Sequence, residues 1–242
     1  MSANEAISDK IYPSVPDDPK QHEDDYIIAH VNAMDESGLD RFGFVAFRAH
    51  FGDEGLWKRF QKRYHGLVDE GINSAPAACA EALKRIDDNI IVQFTDDSLF
   101  ADQGPEGISS AFQICCLEEE VDDEEDGECE DGEEYFQGMT PGVASNMCLM
   151  IDEECMKSVS DEVAQSRPFI KAVDARLCDG VDLKYSGWIK VAIDSLIPKF
   201  YSAVATYDLA DVAAAVVDDG IWTGMGPWDA DREYRVIKKL FL

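Results

Sequence analysis

The sequence predicts an α/β fold, a single mixed sheet of about five strands flanked by helices, and three observations predict it. Short apolar runs with strand character recur at 42–49, 90–94, 147–151, 169–173 and 188–193. Stretches with helical apolar spacing separate most of these runs, the pattern of strands covered by helices. The last two runs are joined by a loop too short for a crossover helix and its turns, which calls for an antiparallel pair and hence a mixed sheet.

Each element follows from its residues. Residues 1–23 combine Pro13, Pro16 and Pro19 with charges and few apolar anchors, and are expected to form a mobile arm ahead of one domain spanning 24–242. From Asp24, the spacing of Ile27, Val31 and Met34 predicts a helix that Gly38 ends. Phe42, Phe44 and Ala46 alternate with Val45, Phe47 and Ala49, so the strand is apolar on both faces and is expected at the centre of the sheet. Asp53 then offers a helix cap, Leu56, Trp57, Phe60, Tyr64, Leu67 and Val68 form one stripe, and Gly71 is the expected stop.

Within 73–87 a short helix turns Ala82, Leu83 and Ile86 inward, and Ile90 to Phe94 reads as a buried strand between two Asp-Asp pairs. Past Pro105, the spacing of Ile108, Ala111, Phe112 and Cys115 is helical. Met147 to Ile151 is a strand, Glu153 to Val159 a short helix, and 169–173 and 188–193 the last strands. A helix opening near Asp194 and Ser195 tolerates Pro198 in its first turn and buries Leu196, Phe200 and Val204. A second helix opens at Asp208 and stops at Gly220.

Charge is the strongest compositional signal. The chain of 242 residues holds 50 acidic and 21 basic side chains, a net charge of −29. Thirteen of the acids fall in 118–134, which has no Lys or Arg, and 118–142 is expected to be a disordered acidic insertion. The other residues still carry 37 acids against 21 bases, so acidity is general. Such a field repels phosphate backbones and anionic lipid and favours cationic partners. Direct nucleic-acid binding is therefore not expected, and no stretch approaches the ~20 apolar residues of a membrane span. Seven cysteines without a C-x-x-C pair, and no charged-then-apolar leader, fit a reducing, cytoplasmic setting; nuclear residence satisfies the same features.

Several segments carry a resemblance. Gly43 to Arg48, Asp53 to Phe60, Met150 to Cys155, and Gly187 to Val191 leading into Leu196 to Tyr201 resemble a set of uncharacterised fungal proteins. The stretch from Trp188 through Gly224 is similar to a bacterial domain family of unknown function. The resemblance covers most of 40–225 as patterns and implies one compact α/β domain in a fungal-type cytosolic protein. It transfers no activity and no site residue.

Candidate chemistry is sparse. Asp122, Asp126, Gly127 and Glu133 match a calcium loop at its first, fifth, sixth and twelfth positions, while Glu124 replaces Asp or Asn at the third. Thirteen acids in seventeen residues match any carboxylate template, and Gly138, Pro141 and Gly142 leave no exit helix, so a solvated insertion is the better reading and no cofactor or metal is expected. Lys58, Arg59, Lys62 and Arg63 form a basic cluster that reads first as a solvated helix face. His50 follows the central strand, where side chains reach the crevice of an open α/β sheet, and with Arg48 and Asp53 it is the best acid/base candidate. Trp222 and Trp228, among glycines, either line a ligand pocket or fold the final segment over the sheet edge; the second is preferred because aromatics more often bury than bind. No nucleophile elbow, P-loop or dinucleotide fingerprint is present.

The reading that follows is a non-catalytic acidic cytosolic protein that engages a basic protein partner. The alternative is a small-molecule enzyme or binding protein with a crevice at Arg48 and His50, closed by the Trp222–Trp228 segment. A weaker alternative makes the charge a mimic of nucleic acid. Oligomeric state is open.

Overall fold

Six strands form one mixed sheet in the computed structural model, which describes residues 19–39, 41–117, 142–159, 167–180, 183–216 and 220–224. In chain order the elements are α1 (Pro19–Ser37), β1 (Phe42–Arg48), α2 (Glu54–Asn73), α3 (Ala80–Ile86), β2 (Ile90–Thr95), α4 (Pro105–Leu117), β3 (Met147–Ile151), α5 (Glu153–Ser158), β4 (Phe169–Asp174), β5 (Trp188–Ala192), α6 (Tyr201–Thr206), α7 (Leu209–Ala214) and β6 (Ile221–Trp222). The strand order is β2-β1-β3-β4-β5-β6, with β1 parallel to both its neighbours, β4 antiparallel to β3 and β5, and β6 parallel to β5. The predicted antiparallel pair is thus β4–β5.

β1 is buried at every position, as a strand apolar on both faces requires. Phe42, Phe44 and Ala46 join the larger core under α1, α2, α3, α5 and α6, while Val45 and Phe47 join Ile108 and Phe112 of α4 on the other face. Gly43 has φ +137°, and a Cβ there would sit 1.8 Å from the Ile91 carbonyl oxygen. Only glycine allows β1 and β2 to approach this closely.

Five expectations need correction. The sheet has six strands because β6 is two residues long, too short to leave a periodic signal. β2 is an outer strand, half-buried throughout, where its apolar run reads as fully covered; the composition of a run does not say which side of a sheet it occupies. The first helix begins at Pro19, five residues ahead of Asp24. α2 continues past Gly71 to Asn73 and is closed by Ser74, whose amide donates to the Glu70 and Gly71 carbonyls. Gly71 instead admits the 193–195 turn: a Cβ there would lie 2.4 Å from the Asp194 carbonyl oxygen. Finally, the helical stretch that opens at Ile193–Ser195, as a 3-10 turn, is not one continuous α-helix. Leu196–Phe200 is an irregular turn with a cis Ile197–Pro198 peptide and extended backbone at Ile197, and α6 starts at Tyr201.

A buried polar network ties α1 to α6. The Tyr26 hydroxyl donates to the Ser202 carbonyl at 2.7 Å and contacts the Thr206 hydroxyl, and Ser202 Oγ lies 3.1 Å from His30 Nδ1. Rings of Tyr26 and Tyr201 flank His30. Burial holds the His30 imidazole neutral, its pKa lowered from 6.5 to about 4.

Candidate functional site

The order β2-β1-β3 sends the chain outward from β1 to β2 beneath α2, then back over β1 to β3 beneath α4 on the other face. The carboxyl ends of β1 and β3 therefore flank a point where the direction of winding reverses, the usual place for a ligand crevice in open α/β sheets. Arg48 ends β1, His50 and Asp53 follow it, and Asp152 follows β3. The sequence-predicted trio is at this end of the sheet.

Each of the three is placed by a specific contact. The Arg48 guanidinium donates to Glu54 Oε1 at 2.5 Å, Asp96 Oδ1 at 3.0 Å and the His50 carbonyl at 2.9 Å, and it lies 4.2 Å from the Phe51 ring centre and 4.9 Å from that of Trp57. Its side chain is 3% exposed. Arg48 thus staples the ends of β1 and β2 to the start of α2. The Asp53 carboxylate caps α2 by accepting from the Leu56 amide at 2.8 Å. His50 is half-buried, and a Cβ at Gly52 would come within 2.9 Å of its ring. The mouth is crossed by backbone bonds: the Ala49 amide donates to Ile151, and the Asp102 amide to Ala49.

A second polar cluster, which sequence reasoning missed, continues from β3 across β4 and β5. Lys171 and Lys190 are direct cross-strand partners. Lys171 Nζ meets Asp152 Oδ2 at 2.5 Å and Glu154 Oε2 at 2.9 Å, and Lys190 Nζ meets Glu154 Oε1 at 2.5 Å. The ammonium groups also lie over the rings of Trp188 and Phe169, at 5.0 and 4.5 Å. Burial is the largest influence and disfavours the charged forms of Asp152 and Lys171, but their mutual bond, the Cys155 amide on Asp152 and Glu154 on Lys171 together outweigh it: the carboxyl sits below, and the ammonium above, its ordinary range. Both lysines are neutralised by the chain's own acids. Only the strand register places them opposite one another, so no local signal reveals the cluster.

Two cavities lie elsewhere, and neither is lined by Arg48, His50 or Asp53. The larger, about 610 Å³, opens between the carboxyl-terminal half of α2 and α3. Its floor is Ile72, Ala75 and Leu83, and its rim carries Asp69, Lys84 and Asp87. These three charged side chains are exposed and form no ion pair among the described residues. The smaller, about 350 Å³, lies beside β5 and is lined by Tyr185, Trp188, Lys190 and Val216 among others.

Trp222 is on β6, 1% exposed, with its ring edge against Phe200 at 5.2 Å. It is four inter-strand steps from β1, about 19 Å at the ordinary strand spacing. Trp228 and the loop acids Asp122, Glu124, Asp126 and Glu133 lie outside the described residues, as do 118–141 of the acidic insertion. Among the described residues, no group of three or more His, Cys, Asp or Glu side chains is arranged to hold a metal ion, and no helix is long and apolar enough to cross a membrane. Comparison with family models, curated proteins and solved structures returns no match for this chain.

Proposed function

We propose that this protein acts by binding a basic protein partner through a surface left rich in unpaired carboxylates. The observation that carries the reading is the fate of the cations. Arg48, Arg85, Arg167, Lys171, Arg176 and Lys190 each bond to carboxylates of this same chain, several of them bidentately or in shared pairs. With 50 acids and only 21 bases, internal consumption of cations leaves the excess negative charge outside. An excess of this size steers cationic proteins toward the surface and repels anionic ones. Arg48 and Asp53 are committed to structural bonds, which favours binding over acid/base chemistry at the carboxyl ends of the strands.

Affinity capture with the full chain at 50 and at 300 mM NaCl tests this. Partners of basic isoelectric point held at the lower concentration and released at the higher support the proposal. Recovery of acidic partners, or of partners indifferent to salt, contradicts it. A second reading, a small-molecule binder, draws on the 610 Å³ cleft, whose size lies in the range of ligand sites. A metabolite thermal-shift screen separates the two. A stabilising ligand lost in Asp69→Ala supports the second.

A further inference from the structure

We infer that the open edge of β2, together with the cleft at its amino end, docks an extended lysine-bearing segment of the basic partner as a seventh strand. This rests on the binding function proposed above and assigns the surface that performs it.

β1 is the one ladder partner of β2 among the described residues. The other side of Ile90–Thr95 therefore has no ladder partner among the described residues, and Ile90, Ile91, Val92 and Phe94 are all half-buried. An exposed apolar edge is a template for another strand unless it is protected. Here the protection is selective, because Asp87 and Asp88 precede the strand and Asp96 and Asp97 follow it. Antiparallel pairing of two copies would place the first acid pair of one against the second pair of the other. Self-association along this edge is thus opposed by charge, whereas a cationic strand is attracted at both ends.

The acids are not equivalent. Asp96 is bonded to Arg48, and Asp97 accepts from the Leu99 amide, whereas Asp87 and Asp88 are exposed and have no ion pair among the described residues. Asp87, just ahead of the strand, also lines the 610 Å³ cleft, which places the cleft at the amino end of β2. A lysine stem lies naturally on the apolar lining of Ile72, Ala75 and Leu83, where the two carboxylates Asp69 and Asp87 outnumber the one cation, Lys84, that shares the cleft. At the other end Leu99 is 77% exposed and offers an apolar contact. Main-chain bonds then provide affinity, and alternate side chains and flanking charge provide selection.

The probe is a fluorescein-labelled heptapeptide of alternating lysine and valine, titrated into the full chain in 50 mM NaCl and followed by anisotropy. N-methylation of alternate amides leaves its charge intact but removes about three pairing bonds, which predicts a loss of about a hundredfold. Asp87→Lys with Asp88→Lys should weaken binding about tenfold, well beyond the effect of Glu36→Lys with Glu106→Lys, which changes net charge equally at exposed positions elsewhere. Equal affinity for the methylated and parent peptides, or equal loss in the two variants, overturns the edge assignment while leaving an acidic surface that binds a basic ligand. Absence of binding by the parent peptide overturns both. A chain that sediments as a dimer, with its β2 amides protected before peptide is added, gives the edge to a second copy and also overturns the proposal.

Discussion

Lowering the pH from 7 to 4.5 should destabilise this protein through His30, by an amount that the burial of its ring sets. The imidazole is held by Ser202 and flanked by Tyr26 and Tyr201, and its pKa falls from 6.5 to about 4 in the folded chain. Because the folded value lies below the unfolded one, the unfolded state binds the extra proton between the two. Stability is therefore whole above pH 6.5, falls as pH drops through that window, and levels off below about 4. A gap of this size corresponds to about 3 kcal/mol in full, of which roughly 2 kcal/mol is lost by pH 4.5. His30→Gln keeps a polar group facing Ser202 but cannot titrate. Urea unfolding of both proteins at the two pH values is the assay, and His30→Gln should lose about 2 kcal/mol less than the parent over the interval. Carboxylates titrating in the same range affect both alike. Equal losses in the two proteins would refute the reasoning.

Three further outcomes follow from the same geometry. Gly43→Ala forces a Cβ against the Ile91 carbonyl, so the variant should be recovered unfolded or lose more than about 3 kcal/mol in a denaturant titration. Arg48→Met removes three hydrogen bonds but leaves Glu54 and Asp96, 63% and 44% exposed, in contact with water. Its cost is expected to be about 1–2 kcal/mol, a melting shift of about 3–6 °C by calorimetry. Native thiol labelling should modify the half-buried Cys115, Cys116 and Cys178 well before Cys148 and Cys155, which are fully buried and whose thiols burial pushes up.

What could be read from the residues was set by the range of the signal. β1 is recognisable because both sets of alternate positions are apolar, and the cap at Asp53 because its partner is three residues away. The β4–β5 pairing follows from loop length alone. The outer position of β2 could not be read, since Ile90 to Phe94 has the composition of a covered strand and only the order of the sheet puts it at an edge. The same holds for chemistry. His50 and Arg48 are visible as residues at a strand's carboxyl end, but the commitment of Arg48 depends on Asp96, 48 positions away. Glu154 joins Lys171 to Lys190 only because two antiparallel strands bring those lysines level. The start of α6 was obscured by Pro198, which a helical first turn tolerates and which here belongs to an irregular turn.

Hydrogen–deuterium exchange of the full chain, with and without the lysine–valine heptapeptide in 50 mM NaCl, probes most directly whether an acidic sheet edge is the working surface. Amides of Ile90–Thr95 should exchange more slowly when the peptide is present, while those of Met147–Ile151, inside the sheet, stay unchanged. Unaltered exchange across Ile90–Thr95 in a sample where the peptide is bound would contradict the account.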